Sequence, residues 1–476
     1  MNYTKKEMRN NTKSLEILKI QYPIFIYENY SKKIVGKDLV IEFQYKIEPN
    51  IYFSPTIQIK NIPRLFPDIL TNKMIDNLIF HLGIAEMISY WKATCSPEII
   101  IRPGHLNKHQ IKWWKKSIVK GMGEFFFLNN IDFTKPNFLK IVSNAPKTNT
   151  QINFKKKLSN RVIVPLGGGK DSVVTLNMLK GREKLNTLIL NPIKASLGAS
   201  KKAGFQKPII INREIDSKLI KLNNGGFLNG HTPFSLYLAF LSTLCAVIFD
   251  FKYIAVSNET SANEENIIFK NKKINHQYSK SFDFEKAFDK YSQKYLAQDV
   301  HYFSFLRPLH ELQIAQLFSR YKNYFGVFKS CNKNQRKNSW CGKCAKCLSV
   351  FIMLYPFLDK EQLKKTFSRN LLQDKNLLNL LKSLIGEISP KPFDCVGTKN
   401  ETIVALYLSL IKEKRENKKI PYLISYFEEN ILPNYTNINA MTKKLLNSWD
   451  KNNLLPIKFT KILQESLRNN VSEICK

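Results

Sequence analysis

The chain has 476 residues, 43% apolar and 24% charged, which excludes a disordered protein and leaves room for two or three domains with cores of their own. A net charge of +36 suggests nucleic acid, an anionic surface or a phosphorylated ligand, yet the Lys, Asn and Ile enrichment is chain-wide, as compositional drift would give. No run of like charge makes a tail, and the polar, basic Met1–Asn10 lacks the apolar core of a signal peptide, so a soluble cytoplasmic protein is expected.

Residues 1–155 read as an α+β domain. Ile41, Phe43, Tyr45 and Ile47 alternate with Glu42, Gln44, Lys46 and Glu48, the period of a half-buried strand. Pro49-Asn50 turns the chain into a second alternating run at Ile57 and Ile59. Helical spacing covers Met74–Trp91 and Ile111–Asn129, and the polar residues 147–157 make a linker.

Residues 156–330 alternate strand and helix. Arg161–Leu166 is a short apolar strand, followed by glycines and a helix from Ser172 to Lys180. Thr187–Leu190, Pro208–Asn212 and Tyr253–Ser257 are further strands. This α/β alternation predicts a parallel sheet with helices on both faces, and ligands beyond the C-terminal ends of its strands. Phe234–Phe251 is apolar but contains Ser235, Ser242, Thr243 and Asp250. It reads as a buried helix, capped by Thr232 with Pro233 as its first residue, and not as a membrane span. Residues 331–476 hold a cysteine cluster and mostly helical segments.

Two local patterns carry chemistry. Gly167-Gly168-Gly169-Lys170-Asp171-Ser172 lies between strand and helix, where glycines let backbone N–H groups approach phosphate oxygens at a helix N-terminus. It lacks the Ser or Thr that a Walker A loop needs after Gly-Lys, and consecutive glycines do not fit the dinucleotide pattern. Eight cysteines without a secretion signal favour thiol or metal chemistry over disulfides. Cys341, Cys344 and Cys347, with Cys331 shortly before, can close a tetrahedral zinc site. Two readings stand beside zinc: Cys347 merely opens a buried helix over Leu348–Leu358, or two of the thiols act as acid and base.

Gly-Gly-x-Asp-Ser after a strand resembles the loop of the PP-loop ATP pyrophosphatases, which hold ATP for attack at its α-phosphate. The resemblance implies a PP-loop core in which Gly167, Gly168, Gly169, Lys170, Asp171 and Ser172 hold ATP, with Asp171 near Mg²⁺. Gly167 stands where that superfamily usually has Ser. Some of its members, those making 7-cyano-7-deazaguanine, carry a similar four-cysteine structural zinc.

Further polar clusters follow in order: Asn229–Pro233, Ser257–Ala262, Asn275–Lys280, Leu306–Leu309, Ser330–Asn334, Trp340–Gly342 and Lys391–Gly397. With Ser89–Ala93 and Gly121–Phe125, the set resembles the UDP-N-acetylmuramoyl-L-alanyl-L-glutamate epimerases of bacterial peptidoglycan synthesis, over residues 80–400. That family implies ATP- and Mg²⁺-dependent inversion of the terminal L-glutamate of UDP-MurNAc-L-Ala-L-Glu, releasing AMP and pyrophosphate.

The chemistry accounts for the ATP. A glutamate whose nitrogen is in a peptide bond cannot form a Schiff base with pyridoxal phosphate. Its Cα–H is weakly acidic beside an anionic carboxylate, and adenylation removes that charge, through either an enolate or an oxazolone. His231 and His276 are the candidate bases, and Glu259 is a base or a Mg²⁺ ligand. Asn229, Asn258, Lys280 and Arg307 are candidates for holding substrate. Two other readings remain: a PP-loop enzyme adenylating a nucleobase or tRNA, and a non-enzymatic basic nucleic-acid-binding protein. No RNA module and no aromatic-basic stripe is visible, so neither nucleic acid nor membrane is expected as partner.

Overall fold

A computed structural model describes residues 13–63, 69–146 and 152–474. Its strands, in chain order, are β1 (Ile24–Val35), β2 (Asp38–Ile47), β3 (Ile51–Phe53), β4 (Thr56–Ile59), β5 (Glu98–Ile101), β6 (Lys140–Ser143), β7 (Val162–Pro165), β8 (Leu185–Leu190), β9 (Ile209–Glu214), β10 (Tyr253–Val256), β11 (Ile267–Phe269), β12 (Lys272–Ile274) and β13 (His301–Ser304). The large sheet runs β13-β10-β7-β8-β9-β4-β2-β1-β5-β6, with β3 on β2, while β11 and β12 form a separate hairpin. From β13 to β9 all pairs are parallel, as the alternation of strand and helix predicts.

One sheet runs through both of the first two expected regions. β4 joins β9 antiparallel, with Ile57 opposite Arg213 and Ile59 opposite Ile211. The alternation read at Ile41–Ile47 is real: in β2, Leu39, Ile41, Phe43, Tyr45 and Ile47 are all buried. Helix Lys73–Trp91 packs on helix Phe234–Ile248, and its buried Glu86 binds Arg213 of β9 at 2.7 and 2.9 Å. Of the expected linker, residues 147–151 lie outside the described residues; Phe154 is tied to Leu296 and Gln298 by backbone hydrogen bonds.

The parallel strands have a core on each face. Ile163 and Ile254 point into one, shared with the N-terminal strands. Val162, Val164 and Ala255 point into the other, shared with the C-terminal helices. That period of two is what strands covered on both faces require. The long helix expected at Ile111–Asn129 is two, Lys108–Gly121 and Gly123–Leu128. At the break a Cβ on Gly121 would lie 2.8 Å from Pro233 Cβ, so the chain passes there too closely for a side chain. Helix Phe234–Ile248 takes Pro233, not Thr232, as its N-cap. No helix of the described residues is long and apolar enough to cross a membrane.

Candidate active site

The order of the parallel strands reverses direction between β7 and β10. Connections from these neighbours run to opposite faces, so a crevice opens at their C-terminal ends. Leu166–Gly169 leaves β7 into it, and Ser257–Glu259 leaves β10. Gly168 has φ +88°, and a Cβ there would lie 2.8 Å from Ser196 N and 2.9 Å from Ala195 Cβ; only glycine lets the loop rest on that helix. A Cβ on Gly167 would meet nothing within 4 Å. The helix that follows, Lys170–Leu179, starts at Lys170 and not at Ser172, with Gly169 as N-cap and Ser172 Oγ donating to Gly169 O at 3.1 Å.

Lys170 turns inward. Its buried Nζ pairs with Asp171 and, at 3.0 Å, with Glu311. Asp171, Glu259 and Glu311 carry oxygens within 4.8 Å of one another, and Lys346 lies 3.7 Å from Glu311. Burial alone would lower the Lys170 ammonium, but Asp171 and Glu311 hold it above lysine's ordinary range. Burial likewise opposes the charge of Asp171, and Lys170 and Lys346 overcome it, keeping this carboxyl low. Burial, then Glu311 and Asp171, push Glu259 up to about 7. Glu311 Oε1 has lysines near it but no aligned hydrogen bond. Three converging carboxylates with such a vacant lone pair can hold a hard divalent cation.

A second group lies alongside. His276 Nδ1 is 2.5 Å from Glu124 Oε2, His231 Nδ1 is 3.4 Å from the same oxygen, and the two ring centroids are 4.4 Å apart. Lys280 Nζ donates to Cys395 Sγ at 3.0 Å, and His276 lies near enough to that sulfur to favour its charged form. Burial would raise the Cys395 thiol, but Lys280 and His276 bring it down to about 5. Burial would lower His276, but Cys395 and Glu124 raise it to about 10. Each group thus favours the charged form of the other, thiolate beside imidazolium. Lys280 also feels Glu259 and Asp171, and so links the two groups.

Two cavities border the start of helix Gly123–Leu128. One of about 540 Å³ is lined by Glu124, Lys333, Lys343, Cys344 and Asp394, among others. The other, about 850 Å³, includes Gly123 and Asn275, the sequence neighbours of Glu124 and His276, together with Lys115, Lys116, Lys120, Lys135, Lys272 and Lys273.

The four thiols of the cluster converge as their spacing predicts. All sulfurs of Cys331, Cys341, Cys344 and Cys347 lie within 4.8 Å, with Cys344–Cys347 at 3.4 Å and Cys341–Cys347 at 3.7 Å. A tetrathiolate with Zn–S near 2.3 Å has sulfur–sulfur edges of roughly 3.8 Å, so the set fits zinc. The backbone N–H groups of Asn334 and Cys341 point at Cys331 Sγ, and that of Lys343 at Cys341 Sγ, donors that suit thiolates.

Of the residues expected to touch substrate, Arg307 has its guanidinium engaged within the protein. It is fully buried, with Nε and Nη2 on Glu285 at 2.9 and 2.7 Å and Nη1 on the Glu259 carbonyl at 2.6 Å. Nη2 also holds the Lys280 carbonyl, so Arg307 is a clamp that fixes the backbone of Glu259 and Lys280. Asn258 turns to Ser304 Oγ at 3.1 Å, and Asn229 Oδ1 accepts from Gly230 N at 2.8 Å. Glu124, Glu311 and Cys395 were not singled out from sequence. Glu124 and Cys395 lie inside Gly121–Phe125 and Lys391–Gly397, segments already conspicuous but without assigned chemistry; Glu311 carries no local signal.

The chain matches the MurL N-terminal domain over residues 19–305 and the MurL C-terminal domain over residues 327–437. It is 30% identical to a UDP-N-acetyl-alpha-D-muramoyl-L-alanyl-L-glutamate epimerase of Xanthomonas oryzae pv. oryzae, over 74% of this chain and 79% of that one. Proteins of the same name from a Micromonospora species and from Salinispora tropica are 30% and 31% identical, over 76% and 69% of this chain and 80% and 72% of theirs. No solved structure matches.

Proposed function

The chain belongs to the MurL family, and from that membership we propose that it inverts the terminal L-glutamate of UDP-MurNAc-L-Ala-L-Glu to D-glutamate, consuming ATP to adenylate the carboxylate. The observation that carries this reading is that Arg307 holds the carbonyls of both Glu259 and Lys280, whose ammonium reaches Cys395, so that two groups lie side by side: the glycine loop with its carboxylates at the strand reversal, and the Glu124–His231–His276 set. The first suits carboxylate activation and the second suits proton transfer at Cα.

The loop's backbone and the start of helix Lys170–Leu179 would receive phosphate oxygens. Asp171, Glu259 and Glu311 would hold Mg²⁺, which neutralises phosphate charge. Three lysines now balance these carboxylates (Lys170, Lys280 and Lys346), and a triphosphate would offer the same lysines new anionic partners, leaving the carboxylates to the metal. Once the substrate carboxylate is adenylated, the Cα–H bond is acidic enough for a positioned base. His231, beside Glu124, serves there, while His276 stays cationic between Glu124 and Cys395. The four-cysteine set would hold zinc with every position filled by protein, the mark of a structural site. The lysine-lined cavity would take the nucleoside diphosphate end of the substrate.

Incubation with Mg²⁺, ATP and UDP-MurNAc-L-Ala-L-Glu in D₂O tests the reading. D-glutamate with deuterium at Cα and stoichiometric AMP is expected; unlabelled L-glutamate with intact ATP would refute it.

A further inference from the structure

Inversion at Cα needs two proton-active groups, one for each face, and the histidine set supplies one. We propose that the Cys395 thiolate is the other, the atom that exchanges a proton with the glutamyl Cα, and that His276 and Lys280 are its positioning residues. This rests on the epimerase reading above.

The geometry is that of an activated thiolate. Lys280 Nζ lies 3.0 Å from Sγ, His276 stands near enough to stabilise its charge, and Glu124 orients His276 at 2.5 Å, an arrangement of nucleophilic or basic atom, cationic partner and orienting carboxylate. Lys346 holds the Cys395 carbonyl, which fixes the backbone from the C-terminal helices. Cys395 is only partly covered, and Asp394 beside it lines the cavity of about 540 Å³ that also contains Glu124. A glutamyl terminus entering that cavity meets Lys333 and Lys343, suited to its free side-chain carboxylate. The charged groups facing the sulfur are Lys280, His276, Lys346 and Asp394, three cationic and one carboxyl held up to about 6 by burial. The buried Cys95 and Cys245 have no such company, and burial pushes Cys95 up to about 12.

In the step itself the Cα–H bond breaks and its proton forms an S–H bond. The electron pair of the C–H bond moves into the activated carboxyl group as an enolate. A proton from His231, the histidine of the set that does not serve the thiolate, then forms the new C–H bond on the opposite face. No oxidant or reductant is needed: the thiol gives its proton to solvent and His231 regains one from solvent.

The test separates proton transfer from activation. Cys395→Ala and Cys395→Ser are compared with wild type for deuterium incorporation at Cα and for substrate-dependent pyrophosphate–ATP exchange. Exchange at Cα should fall by about 10²-fold or more in both variants while pyrophosphate exchange stays within a few-fold. Inversion near the wild-type rate in Cys395→Ala would overturn the proposal. Wild type with no Cα exchange would instead overturn the epimerase reading. Should the variants misfold, iodoacetamide labelling of wild type decides: Cys395 should alkylate at pH 6.5, be protected by substrate with ATP, and need higher pH in His276→Gln. Labelling that substrate leaves unchanged would overturn the assignment.

Discussion

Adjacent glycines of the β7 loop answer to different constraints. Gly168 has φ +88° and abuts Ser196 and Ala195, whereas Gly167 faces open space. Gly168→Ala should cost on the order of 2–4 kcal/mol, the left-handed backbone and the overpacking together, and lower the melting temperature and ATP affinity alike. Gly167→Ser should leave the melting temperature unchanged and, on the proposed reading, ATP affinity equal or higher, since a side chain at this position meets nothing within 4 Å. Calorimetry on both variants checks the contrast; equal losses at the two positions would mean the loop is not held as described. These residues were legible because the glycines, Lys170, Asp171 and Ser172 are contiguous. Cys395 was not, because its partners His276 and Lys280 lie more than a hundred positions away and only the fold brings them together. The setting of Arg307 was hidden for the same reason: nothing local reveals that Glu285 and two carbonyls occupy its guanidinium.

Elements were read best where periodicity and punctuation agree. The strands β7, β8, β9 and β10 and helix Lys73–Trp91 fall within a few residues of expectation, because alternation or a buried helical face marks each. β1, β5 and β13 carry no comparable local pattern and were not separated from their surroundings. Helix Lys399–Arg415 shows how elements are joined. Its Thr398–Glu401 capping box does more than close the helix start, because buried Glu401 also accepts from Ser261 Oγ at 2.9 Å and Leu312 N at 3.3 Å and pairs with His310 at 3.5 Å. Burial opposes this charge, yet His310 and the Thr398 contacts hold the Glu401 carboxyl down to about 2. Its folded value lies below its unfolded one, so its contribution is complete above about pH 4.5 and is lost as pH falls toward 2. His310 is shifted the other way, raised chiefly by Glu401 against burial, so its share is present below about pH 6.5 and fades as pH rises through its folded value. Glu401→Gln should lower the urea midpoint by the equivalent of roughly 3 kcal/mol at pH 6 and flatten the acid limb of the stability profile. An unchanged acid limb would show that other carboxylates set it.

Across the whole molecule, the continuous sheet is what makes the site composite. β4 on β9 brings the N-terminal helices, with Glu124, against the parallel strands that carry Glu259, and the C-terminal helices deliver Lys346 and Cys395 from the opposite face. The charge of +36 also acquires a location, in part. Of the lysines around the 850 Å³ cavity, Lys116 and Lys120 pair with Asp283 and Lys273 with Glu265, while Lys115, Lys135 and Lys272 enter no ion pair among the described residues. Tyr278 and Phe133 line the same cavity, and Lys120 Nζ lies 5.2 Å over the Tyr278 ring. Unpaired ammonium groups at a cavity attract phosphate oxygens, and salt screens them over about 10 Å at 0.1 M. Lys115→Glu combined with Lys272→Glu should therefore raise KM for the UDP-linked dipeptide about tenfold or more and leave KM for ATP within twofold. In wild type the same KM should climb with added NaCl, and uridine diphosphate should compete where uridine does not. If both KM values rise together in the double variant, the lysines act through the general field of the protein and not as a diphosphate seat.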